Sequence, residues 1–98
     1  MGKRKITVKK QAAESIAQIA WFIESKGLLA TAENFSDEAY NFLESLADER
    51  RTFMLCRNEE RNMLGLKCVN YKKKFTVVFI EAENELIICE FLPSKILR

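Results

Sequence analysis

Histidine is absent from this 98-residue chain, proline occurs once and glycine three times. Lacking histidine, the chain lacks both the commonest metal ligand and the usual general acid–base of neutral pH. The three cysteines, Cys56, Cys68 and Cys89, are scattered and odd in number, without the paired spacing of a zinc site. No metal is therefore expected. No glycine-rich phosphate loop of the G-x-x-x-x-G-K or G-x-G-x-x-G type occurs, so no nucleotide cofactor is expected either. No apolar run approaches the roughly 18–20 residues that cross a bilayer. The longest apolar stretch, Phe75 to Phe91, is broken by Glu81, Glu83 and Glu85. The basic start Lys3-Arg4-Lys5 is not followed by an apolar segment of the kind a secretory signal needs. Together these absences predict a cytoplasmic protein with no membrane association. Its thiols are expected to stay reduced, buried and inert within apolar strands.

Apolar residues make up 48% of the chain and include seven Phe, enough for one packed core and too many for a disordered segment. At this length a single domain over 1–98 is expected. The net charge of +2 conceals strong segregation. Residues 1–10 carry five basic and no acidic groups, and residues 11–49 one basic and eight acidic. Residues 50–74 carry eight basic and two acidic groups, and residues 75–98 two basic and four acidic. Such blocks fit either a plain solvated surface or an acidic helical layer beside a basic sheet edge that steers a charged partner.

Periodicity gives the element order. Lys5-Ile6-Thr7-Val8 alternates as a half-buried strand does. From Lys10 to Lys26, Ala12, Ala13, Ile16, Ile19, Ala20 and Ile23 recur at helical spacing, with Gly27 placed to end the helix. A second helix is predicted from about Thr31, as N-cap, to Ala47, with Ala32, Phe35, Ala39, Phe42, Leu43 and Leu46 as its apolar face. Thr52 to Cys56 reads as a strand, polar Arg57 to Asn62 as a loop, and Met63 to Val69 as a strand in which Gly65 permits a bulge or a close approach. Phe75 to Ile80 and Glu85 to Leu92 are apolar on both faces, as central strands are. Pro93 ends the last of them. The fold class is α+β, in the order β-α-α-β-β-β-β. An αα-hairpin is expected on one face of a mainly antiparallel sheet of four or five strands.

Several stretches carry a resemblance: Ile6-Thr7-Val8, Ala13 to Ile23, Ala32 to Leu46, Arg61-Asn62-Met63-Leu64, and Tyr71-Lys72-Lys73-Lys74-Phe75 running on to Phe79. In order and spacing the chain resembles the RelE/ParE toxin superfamily over nearly its whole length. The resemblance implies the toxin of a bacterial type II toxin–antitoxin (plasmid stabilisation) system, neutralised by a cognate antitoxin protein. It leaves three readings open. One is a ParE-like toxin that poisons DNA gyrase by binding. The second is a RelE-like endonuclease that cuts mRNA on the ribosome. The third is a non-toxic relative that serves as a binding module.

The resemblance places Arg61 and Tyr71 at candidate catalytic positions. Arg57, Lys67, Lys72, Lys73 and Lys74 become candidates for the surface that binds nucleic acid or another target. RNA cleavage through a 2′-hydroxyl needs a base, an acid and a cation to hold the phosphate. Arginine and lysine supply the cation. Tyrosine, with a pKa near about 10, is a poor base unless nearby cations lower it. The arginine and the tyrosine or histidine that RelE-like nucleases carry toward their C-terminus have no counterpart in Glu81-Ala82-Glu83 or in Glu90 to Ser94. Tyr71 thus reads either as a proton-transfer group or as an aromatic closing the core. Glu59 and Glu60 read as a solvated loop. Of Trp21 and Phe22, adjacent in the first helix, one must leave the core stripe and offer an antitoxin a sticky spot.

Overall fold

Residues 4–48 and 51–94 are described by the computed structural model; Lys3, Arg50 and the tail 95–98 lie outside them. The elements are β1 (Lys5–Val8), α1 (Lys10–Glu24), α2 (Leu29–Ser45), α3 (Glu59–Met63), β2 (Lys67–Tyr71), β3 (Phe75–Glu81) and β4 (Glu85–Pro93). The strands form one sheet in the order β1-β4-β3-β2, as expected for an α+β domain with its most apolar strands, β3 and β4, in the middle. β2 with β3 and β3 with β4 are antiparallel, whereas β1 runs parallel to β4, with Lys5 opposite Glu85 and Val8 opposite Ile88.

Both long helices contribute to a single core. Ala12 and Ile16 of α1 and Ala39 and Leu43 of α2 pack with Leu46, Tyr71, Val77, Phe79, Leu86, Ile88 and Phe91. Every strand residue in that cluster faces the helices, so the αα-hairpin covers one side of the sheet. Strict alternation would put Phe91, three residues after Ile88, on the other side. A β-bulge repairs the phase: Val78 faces Glu90 while Phe79 faces Ile88, which leaves Cys89 as the extra residue. Gly27, at φ 81°, stops α1 as its sequence position implied. α2 begins two residues before Thr31, at Leu29, and its N-cap Leu28 supplies no side-chain bond.

The segment between α2 and β2 departs from expectation. Thr52 to Cys56 is not a strand: it contributes a single bridge, Leu55 opposite Lys67. Of the expected loop Arg57 to Asn62, Glu59 onward is helical, and Met63 ends that helix instead of beginning a strand. Asn58 caps a short helix, its Oδ1 accepting from Arg61 N at 3.2 Å, and Glu59 and Glu60 occupy the first turn. Gly65, at φ 75°, closes it: Leu66 N donates to Arg61 O and Gly65 N to Asn62 O, both at 3.0 Å. That is a Schellman C-terminus, which needs glycine's left-handed freedom and not a bulge.

The cysteines also differ from the reduced thiols expected. Cys56 and Cys68 form a disulfide, with Cα atoms 4.8 Å apart, and only Cys89 is free. The pair is twelve positions apart in sequence. α3 folds that interval back on itself and sets Cys56 beside the start of β2. Sequence spacing cannot show this while the interval is read as loop and strand.

β2 turns into β3 through Lys72 and Lys73, both at positive φ (54° and 62°), with Lys74 N donating to Tyr71 O at 3.2 Å. A left-handed conformation costs an L-residue with a Cβ roughly 1–2 kcal/mol. Lys73→Gly is therefore expected to stabilise the domain by about 1 kcal/mol in urea unfolding. A loss of stability would mean that the Lys73 side chain makes a contact outweighing the backbone cost.

Candidate functional site

The two candidate catalytic residues lie on opposite sides of the sheet. Side chains alternate along β2, so Tyr71 points toward the helices while Cys68 and Asn70 point away. Tyr71 is only 6% exposed and belongs to the core cluster. Its ring lies 4.6 Å from that of Phe42 and 6.0 Å from that of Phe91. Its hydroxyl is buried without a well-formed hydrogen bond, with Lys72 the polar group beside it.

Arg61 lies across the sheet from it. Nε and Nη2 donate to Glu90 Oε2 and Oε1 at 2.9 and 3.0 Å, a two-pronged pair whose side chains are 21% and 19% exposed. Glu90 faces Val78, away from the helices. The hydrogen bonds it donates to Glu90 raise the Arg61 guanidinium above its ordinary range, against the opposing pull of burial. Both prongs of Arg61 are therefore engaged within the protein.

The five basic candidates separate into two groups. Lys67 Nζ donates to Phe53 O at 3.4 Å and stands 3.9 Å from Glu81. Lys72 pairs with Glu38 of α2, which raises its pKa, and lies over the Tyr71 ring at 5.4 Å. Both lysines are thus paired within the domain, Lys72 at its surface. Arg57, Lys73 and Lys74 are exposed and have no ion pair among the described residues. They border two adjoining clefts. The first, about 780 Å3, runs between α1 and the end of β4 and is lined by Ile19, Phe22, Lys73, Lys74, Phe75 and Pro93 among others. The second, about 770 Å3, lies against the far side of the sheet and includes Met54, Arg57, Cys68, Asn70 and Thr76. Ser94 lines both. The Thr76 and Ser94 hydroxyls are 2.9 Å apart, and Thr76 also reaches Asn70 Oδ1 at 3.4 Å.

Trp21 and Phe22 are both exposed, at 69% and 57%, so neither joins the core stripe. Lys26 sits 4.8 Å above the Phe22 ring. One further arginine was not singled out by sequence. Arg4 Nη1 donates to Glu81 Oε2 at 2.7 Å from a side chain only 7% exposed, and Arg4 N donates to Ala47 O at 2.7 Å. Read along the chain, Arg4 is one of a run of basic residues, and only the β1–β4 pairing brings it to Glu81.

Among the described residues, no cluster of three or more cysteine or acidic side chains could hold a metal ion, and no helix is long and apolar enough to cross a membrane. No family model matches the chain, and no curated protein matches it.

Proposed function

We propose that this chain is the toxin of a type II toxin–antitoxin pair, ParE-like in action, which arrests growth in the cytoplasm by binding a cellular target. The observation that carries the reading is the separation of Tyr71 from Arg61. A buried hydroxyl on the helix side of the sheet cannot reach a substrate held at the opposite side. General acid–base catalysis requires both groups within hydrogen-bond reach of the reacting atoms. What remains exposed is a binding surface: Arg57, Lys73 and Lys74 around two clefts, and the aromatic pair on α1. The helical hairpin on one side of a β1-β4-β3-β2 sheet supports the same reading through its resemblance to the superfamily. A cognate antitoxin is the expected partner, and DNA gyrase the expected target.

Induced expression in bacteria, followed by gyrase supercoiling and ribosome-programmed mRNA assays with purified protein, tests this. Growth arrest with inhibited supercoiling and intact mRNA is the expected result. Ribosome-dependent mRNA cleavage would replace the reading with a RelE-like nuclease. Harmless overexpression would leave a non-toxic binding module. Lys73→Glu combined with Lys74→Glu is expected to lower growth inhibition at least about tenfold, since charge reversal at a binding rim acts on association. The same pair of substitutions should leave the melting temperature within a few degrees of the parent.

A further inference from the structure

The Cys56–Cys68 bond joins two parts of the chain that little else connects. Arg51 to Asn58 contains no helix or strand. It is held to the start of β2 by the Leu55–Lys67 bridge, with Cys56 N donating to Leu66 O at 3.0 Å and Cys68 N to Met54 O at 3.2 Å. Asn62 Nδ2 adds a bond to Cys56 O at 3.1 Å, and Phe53 rests edge-on against Phe79. The same segment forms one wall of the cleft on the far side of the sheet, and Cys68 lies in that cleft. The two sulfurs differ in access: Cys56 is 1% exposed, whereas Cys68 is only partly covered.

We propose that the Cys56–Cys68 disulfide is a reversible clip, opened by thiol reductants at Cys68, which controls the shape of the cleft along β2. This goes beyond the toxin reading and does not rest on it. A reductant thiolate attacks Cys68 Sγ, on the less buried of the two residues and the one that lines the cleft. The S–S bond breaks, a mixed disulfide forms at Cys68, and the electron pair leaves on Cys56 Sγ, which takes up a proton. A second reductant thiolate then attacks the reductant's sulfur in the mixed disulfide and releases Cys68 as a thiolate. The reductant departs as its own disulfide, two electrons having entered the protein. A small-molecule disulfide such as oxidised glutathione closes the clip by the reverse steps. Once open, the segment keeps the hydrogen bonds given by Cys56 N, Cys68 N and Asn62 Nδ2, and that from Lys67 Nζ to Phe53 O, but loses the covalent link between positions twelve apart.

Alkylation under denaturing conditions, read by mass spectrometry, should find one reactive thiol, Cys89, after treatment of the full chain with oxidised glutathione. After dithiothreitol it should find three. Amide exchange over 51–58 and 66–70 should then rise at least about tenfold on reduction, while Val77 to Phe79 stay protected. Cys56→Ser should show the fast exchange with or without dithiothreitol, and Cys89→Ser should respond as the parent does. Three reactive thiols after oxidation would overturn the proposal. So would exchange over 51–58 that ignores reduction. A rise of equal size in β3 and β4 would also overturn it, because the bond would then be a staple of the whole domain and not a local clip.

Discussion

Tyr71→Ala is expected to lower stability by about 3–5 kcal/mol, the loss typical of a large aromatic removed from a close-packed core. Tyr71→Phe is expected to do the opposite. The ring fills the space between Phe42, Phe75 and Phe91, but its hydroxyl is buried without a well-formed hydrogen bond, Lys72 being the polar group beside it. A buried hydroxyl so poorly paired costs on the order of 1–3 kcal/mol relative to water. Its removal should raise stability by about 1 kcal/mol, or roughly 4–8 °C in melting temperature for a domain of this size. Denaturant melts of the two variants give the comparison, and growth inhibition gives the functional half. If Tyr71→Phe were more stable yet inactive, the hydroxyl would have a chemical task and the binding-only reading would fall.

The second large effect belongs to Arg61. Arg61→Ala leaves Glu90 with a carboxylate four-fifths covered and no guanidinium to receive, so a loss of about 2–3 kcal/mol is expected. Replacing both partners with Met should recover most of that loss, because two apolar side chains of similar reach leave no orphaned charge. The pair of experiments separates two meanings of the same phenotype. If Arg61→Ala is inactive and the double Met variant regains activity, the arginine acted by holding Glu90. If the double variant folds as stably as the parent and stays inactive, Arg61 itself meets the target.

The helices and central strands could be read from the sequence because their signal is local. Ala12, Ile16, Ala39 and Leu43 recur at the period of one helical face, and all four are buried. Phe75 to Ile80 is apolar at successive positions, and β3 has a strand on either side. The region from Thr52 to Gly65 was misread because β-prone residues there are held by tertiary contacts and not by a ladder. Phe53 packs on Phe79, yet Met54 beside it is exposed and Leu55 makes one bridge. The signs of α3 were present: asparagine at 58, two glutamates in the next two positions, and glycine at 65. They surround only five helical residues without an apolar stripe, which is why polarity outweighed capping. The site was less legible than the fold. Arg61 and Glu90 are 29 positions apart, and Arg4 and Glu81 are 77 apart. Neither pairing leaves a mark on its neighbours in sequence. Tyr71 carried its resemblance to a catalytic position, but the direction it points depends on the register of β2 with β3, in which it faces Phe75.

Lys5 meets Glu85 and Val8 meets Ile88. The strand β1 must therefore wait for β4, the last of the described strands, before it has a ladder to join. On a ribosome, both long helices emerge with their apolar stripes uncovered while β3 and β4 are still untranslated. Such a chain folds late and all at once, as contacts between distant positions demand. Until then its best protection is a chaperone, or any partner present during synthesis that covers those stripes.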